Sequence, residues 1–118
     1  MSITRLHVQP RFSEIAICGN LVHLAGQLAS DLSLDIRGQT QQTLDTIDQF
    51  LADAGTDKSH ILSVMIFIKD IAHNYAAMNE VWDAWVADMD ALPRTCVEAN
   101  MYQDDVLVEM TVVAIKPD

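Results

Sequence analysis

The chain has 118 residues, half of them apolar and a fifth charged, a balance that supports one domain with its own hydrophobic core and excludes a disordered chain. Seven basic against seventeen acidic side chains give a formal charge of −10, which repels phosphate backbones and anionic lipid and sets aside nucleic acid and membrane surfaces as partners. No apolar run reaches the ~20 residues of a membrane span, and the opening MSITRLHVQPRF lacks the apolar stretch of a secretory signal. Cys18 and Cys96 fit neither a disulfide framework nor a zinc site, so a cytoplasmic protein of one domain, residues 1–118, is expected.

In chain order, Ile3 to Val8 alternates weakly and reads as an edge strand closed by Pro10. Glu14 to Cys18 and Leu21 to Ala25 are two apolar runs joined by Gly19-Asn20, a hairpin signal. Ser30 to Gly38 reads as a surface loop. Gln39 to Ala54 reads as a helix, with Leu44, Ile47, Leu51 and Ala54 on one face, Gln and Asp on the other, and Gly55 at its C-terminal end. Ile61 to Ile68, ILSVMIFI, is the longest apolar run and predicts a central strand covered on both faces.

A second helix follows, with Tyr75, Met78, Trp82, Trp85 and Met89 in one stripe that reads as a core face. Asp70 or Asn74 is its expected N-cap, and Pro93 prevents its continuation. The last strand sends Val106, Val108, Met110, Val112 and Ala114 one way and Leu107, Thr111, Val113 and Ile115 the other. Both stripes are apolar, and two one-sided helices can cover only one of them. The order is β-β-β-α-β-α-β-β, an α+β mixed sheet of six strands with two helices on one face, and an oligomer is expected to cover the other face.

The charges of the last two strands stand out. Between Lys69 and Lys116 there are nine carboxylates and one Lys/Arg cation, Arg94, which opens the first of these strands, while Glu109 interrupts the apolar second one. A charge set into a buried strand is costly unless it is paired or used.

Pro93-Arg94-Thr95-Cys96-Val97-Glu98 followed by Asp105-Val106-Leu107-Val108-Glu109-Met110 resembles the signature of the RidA (YjgF) family. Gly19-Asn20 with Ala25-Gly26-Gln27, the Gln39-to-Gly55 helix and Met78-Asn79 match in the same order, so the similarity covers nearly the whole chain. The resemblance implies a chorismate-mutase-like fold assembled as a homotrimer with sites between subunits, and hydrolysis of small 2-imino acids to 2-oxo acids and ammonia without a cofactor. Other members of that family carry endoribonuclease or translation-inhibitor descriptions. Phe12 stands where active members carry a tyrosine, and Ala25 where they carry a serine, so two hydroxyls are missing. A non-catalytic module that binds a small carboxylate is therefore the alternative function.

Each candidate residue has a chemical role and a plainer one beside it. Arg94 can clamp a substrate carboxylate through two parallel donors, or form a structural ion pair with a nearby acid. Glu109 can activate water and return the proton to departing ammonia, or pair across a subunit interface; burial should raise its pKa unless a cation offsets it. Cys96 leaves the same strand face as Arg94 and lines the pocket or fills core. Glu98 shares that face and orients Arg94 or is solvated. Asn79 serves the site or holds its helix against a loop, Gly26 lets backbone donors approach the ligand, and Phe12 walls the pocket. The four histidines are scattered, so no metal is expected, and no phosphate-binding loop is present.

Overall fold

The computed structural model describes residues 2–117. Its elements are β1 (Ile3–Val8), β2 (Ser13–Cys18), β3 (Leu21–Gln27), α1 (Ile36–Asp53), β4 (Ile61–Ile68), α2 (Ile71–Trp85), β5 (Arg94–Glu98) and β6 (Val108–Ile115), with one 3₁₀ turn at Lys58–His60. The strands make a single sheet ordered β1-β2-β3-β6-β4-β5. All neighbours are antiparallel except β4 and β5, which α2 joins as a parallel crossover. Element order, strand count and the two helices on one face match the sequence reading.

Register explains the single buried face. Val22, Leu24, Ile15, Val64, Ile66, Ile68, Val108, Met110, Val112 and Ala114 pack beneath the helices with Leu44, Ile47, Leu51, Met78 and Trp82. Each such large side chain contributes roughly 1.5–3 kcal/mol on burial, so this face carries the stability. The opposite face is open in the single chain: Met65 of β4 is 38 % exposed, and Ile3, Leu21 and Val97 are exposed too. Within one chain the helices cover β4 on one face only. Its apolar run alternates between core and open face, with a bulge at Leu62 between Ile61 and Ser63.

Helix α1 starts at Ile36, three residues before the expected start, because Asp35 caps it: its side chain accepts from the Gly38 N–H at 2.9 Å. Its buried face is also more polar than Leu and Ile spacing suggests. Gln39, Thr40 and Thr43 are buried, and each threonine hydroxyl donates to the carbonyl four residues back. Gln39 donates to the carbonyls of Leu32, Leu34 and Asp105 and accepts from the Leu107 N–H, tying the loop before α1 to the loop before β6. Gly55 ends the helix with φ +86, a conformation costly to residues with a Cβ.

Helix α2 is capped from outside. Asp70 occupies the N-cap in a left-handed conformation, φ +48, yet its side chain makes no capping bond. Glu98 of β5 accepts from the Ile71 N–H at 3.0 Å instead, and Asn74 donates to the Lys69 carbonyl. The helix stops at Trp85, so Met89 packs against the core from the turn beyond it. No helix among the described residues is long and apolar enough to cross a membrane.

Candidate functional site

Arg94 opens β5, an edge strand, and its Cα is in register with Val64 of β4. Val64 faces the helices, so Arg94 does too. There it meets three residues one helical turn apart on α2: Tyr75, Asn79 and Trp82, at i, i+4 and i+7. Its Nη2 donates to Asn79 Oδ1 at 2.8 Å and to the Tyr75 hydroxyl at 3.2 Å. The guanidinium carbon lies 5.1 Å from the Trp82 ring centre and 5.8 Å from that of Tyr75. Two aromatic faces thus help hold the cation.

Nη1 of Arg94 is buried and has no hydrogen-bond partner among the described residues. No carboxylate among the described residues lies in ion-pairing distance of Arg94, despite the acidic surroundings. A buried donor without an acceptor costs about 1–3 kcal/mol, so this cation is fixed in place but not neutralised.

Cys96 and Glu98 share the helix face, in register with Ile66 and Ile68. Cys96 packs against the core, and burial pushes its thiol up while the Arg94 charge pulls it down less. That environment disfavours a thiolate nucleophile. Glu98 is committed to capping α2 and makes no hydrogen bond to Arg94.

Glu109 is elsewhere. It pairs in register with Phe67 of β4, and the neighbouring pair Met110 with Ile66 is the one that faces the helices. Glu109 therefore points to the open face, opposite to Arg94. A shallow cavity of about 330 Å³ lies there, lined by Phe67, Ala99, Asn100, Met101 and Glu109. Burial raises the Glu109 pKa, and no cation among the described residues of the same chain counters it.

Gly26 belongs with Glu109. The β3–β6 register shifts between Leu24 and Gln27, a bulge that brings Gly26 against the carboxylate. A Cβ on Gly26 would collide with Glu109 Oε2, so the glycine leaves the space that the carboxylate fills. Phe12 sits in the β1–β2 turn, where its carbonyl accepts from Gln9 N–H and its side chain is 52 % exposed. Strands β2, β3, β6 and β4 separate that turn from β5.

The six candidate residues therefore form two groups on one chain, Arg94 with Asn79 and Cys96 beneath the helix, and Glu109 with Gly26 on the open face, while Phe12 stands apart. Tyr75 and Trp82 were read as core, and they are partners of Arg94. Their spacing from Asn79 was the available signal. No group of three or more His, Cys, Asp or Glu side chains placed to hold a metal occurs among the described residues.

A six-stranded mixed sheet with two helices on one face, a cation opening the fifth strand and a carboxylate in the sixth define a chorismate-mutase-like α+β protein. The family profile described as "Endoribonuclease L-PSP" matches residues 2–116, and the chain belongs to this family, the RidA (YjgF) family. It is 43 % identical over 112 residues to a "RutC family protein" of Haemophilus ducreyi, covering 95 % of both chains. Its fold is similar to that of NMB1025 from Neisseria meningitidis, a member of the YjgF protein family, with TM-score 0.95 and 37 % identity over 100 % of this chain and 98 % of that one. A more distant relative, 26 % identical over 105 residues (83 % of this chain, 81 % of the relative), is the "2-iminobutanoate/2-iminopropanoate deaminase" of Escherichia coli.

Proposed function

We propose that this protein hydrolyses small 2-imino acids to 2-oxo acids and ammonia. The observation that carries the reading is Arg94: a cation held by Asn79, Tyr75 and Trp82, with no carboxylate of the described residues in ion-pairing distance. Such a group is suited to a ligand's acid. Likeness to a deaminase in Escherichia coli supports the choice of reaction.

In this reading the substrate carboxylate rests on Arg94. Water adds to the carbon of the N-protonated imine as Glu109 accepts one of its protons, which gives a neutral carbinolamine. The carbinolamine nitrogen takes that proton from Glu109, and the C–N bond breaks as the hydroxyl gives its own proton to the Glu109 carboxylate and on to solvent, releasing ammonia and the 2-oxo acid. The imine is already a strong electrophile, so the chain need only orient it and move protons.

Because Arg94 and Glu109 occupy opposite faces of one sheet, a site that uses both draws them from two protomers. The apolar open face and the edge position of β5 support such an assembly, and a homotrimer with sites between subunits is the form we propose. A module of the same fold that binds a small carboxylate without turnover is the second reading, favoured by the missing hydroxyls at Phe12 and Ala25. An endoribonuclease is disfavoured by the charge of −10.

The test generates 2-aminoacrylate with a dehydratase and follows its loss. Wild-type protein should speed that loss, and Arg94→Ala should lower kcat/KM by thirtyfold or more, about 2 kcal/mol. An Arg94→Ala protein as fast as wild type overturns the clamp. Thermal stabilisation by 2-oxo acids without imine consumption selects the binding module.

A further inference from the structure

A carboxylate takes two parallel bonds from a guanidinium along one of two edges, Nε with Nη2 or Nη1 with Nη2. This chain displays the first edge at Arg37, whose Nε and Nη2 donate to the two Glu80 oxygens at 2.8 and 3.2 Å. Nη2 belongs to both edges and has only two hydrogens.

In Arg94 both are engaged, one by Asn79 and one by Tyr75. Nη1 is sealed from solvent, which closes the second edge to an arriving molecule. A carboxylate can take two bonds only if one partner of Nη2 gives way. The Asn79 bond is the shorter, 2.8 Å, and its amide is partly buried. The Tyr75 bond is longer, 3.2 Å, and its residue is 41 % exposed.

On the reading that Arg94 receives a ligand carboxylate, we infer that the Tyr75 hydroxyl is a placeholder for that carboxylate. It keeps Nη2 satisfied until the acid arrives, then swings off as the charged acceptor replaces the neutral one. Asn79 stays and fixes the plane of the guanidinium. Tyr75 thereby competes with the ligand and weakens its binding, so it sets affinity without touching the reacting carbon. A group that offers no full negative charge has little to set against the hydroxyl, so the exchange favours carboxylates over neutral acceptors.

The experiment is calorimetric titration of 2-oxobutanoate into the full-length protein, wild type, Tyr75→Phe and Arg94→Ala, with KM and kcat measured on the imine. Phenylalanine keeps the ring beside Arg94 and removes only the competing oxygen. The dissociation constant of Tyr75→Phe should fall about three- to tenfold, the worth of one hydrogen bond in competition. KM should fall with it while kcat does not rise, as expected for a change in binding alone. If Arg94→Ala abolishes binding and Tyr75→Phe binds as weakly as wild type or more weakly, the placeholder is overturned and the clamp survives. If none of the three proteins binds the acid, both are overturned.

Discussion

Arg94 and Glu109 stand on opposite faces of one sheet: Arg94 is in register with Val64, which packs beneath the helices, and Glu109 with Phe67, whose register neighbours Val64, Ile66 and Ile68 take the helix side. A parity of one residue in each ladder decides which face a side chain takes. Within one chain the two charges therefore act from different sides.

Asn79 is the shortest polar contact of Arg94, at 2.8 Å. Asn79→Ala should raise the KM for a 2-imino acid about tenfold, the ~1.5 kcal/mol of a hydrogen bond to a charged group, in a protein that still folds with a melting temperature lowered by the lost bond. Steady-state kinetics beside a melting curve checks it. An unaltered KM contradicts a positioning role.

Gly26 and Glu109 should be energetically coupled. Gly26→Ala drives a methyl into the carboxylate and should cost about 1–3 kcal/mol, as overpacking does. In a Glu109→Ala background most of that cost should vanish, because the colliding group is gone. Urea unfolding of the four proteins at one fixed protomer concentration measures the coupling, and equal costs in both backgrounds would contradict it.

Gln39 is a buried hub with 0 % exposure and partners on two loops. Gln39→Leu strands those backbone groups and should cost about 2–4 kcal/mol. Gln39→Glu keeps an acceptor for Leu107 N–H but turns a carboxylate toward three carbonyls, so it should be no better. Melting temperatures of both variants decide the matter.

Glu109 makes a signed pH prediction. Burial raises its pKa in the folded state, so the folded protein holds the proton more tightly than the unfolded chain. Its favourable contribution is full below the unfolded pKa and is lost as pH rises through the raised folded value. Glu109→Gln should therefore stabilise the protein at neutral pH in an Arg94→Ala background, where no neighbouring protomer's cation offsets burial, with a gain that shrinks toward acid pH. A gain independent of pH, measured by melting across that range, would count against burial as the cause.

The strand and helix pattern was legible because period-2 and period-3.6 stripes are set by which face is buried, and that holds from Val108 to Ile115 as from Met78 to Trp85. The start of α1 was missed because Ile36 to Gly38 has no apolar period of its own; the signal was Asp35, a capping residue. Asp70 was legible as the N-cap of α2, but the carboxylate that makes the capping bond was not, since Glu98 is 27 residues away from Ile71 in sequence. At the site, Arg94 and Glu109 were visible as charges in strands, and their separation onto two faces was not, because it depends on the β4 register that each shares. Tyr75 and Trp82 were hidden by their apolar stripe, which serves the core and the guanidinium at once.

The most direct measurement is complementation between two disabled proteins, Arg94→Ala and Glu109→Gln. Each alone should lose imine hydrolysis. Unfolded together in equal amounts and refolded, they should recover about a quarter of wild-type activity, since in a cyclic trimer one site in four then joins an intact Arg94 to an intact Glu109 from its neighbour. A refolded mixture that assembles into mixed oligomers yet stays as inactive as its components would contradict a site shared between protomers.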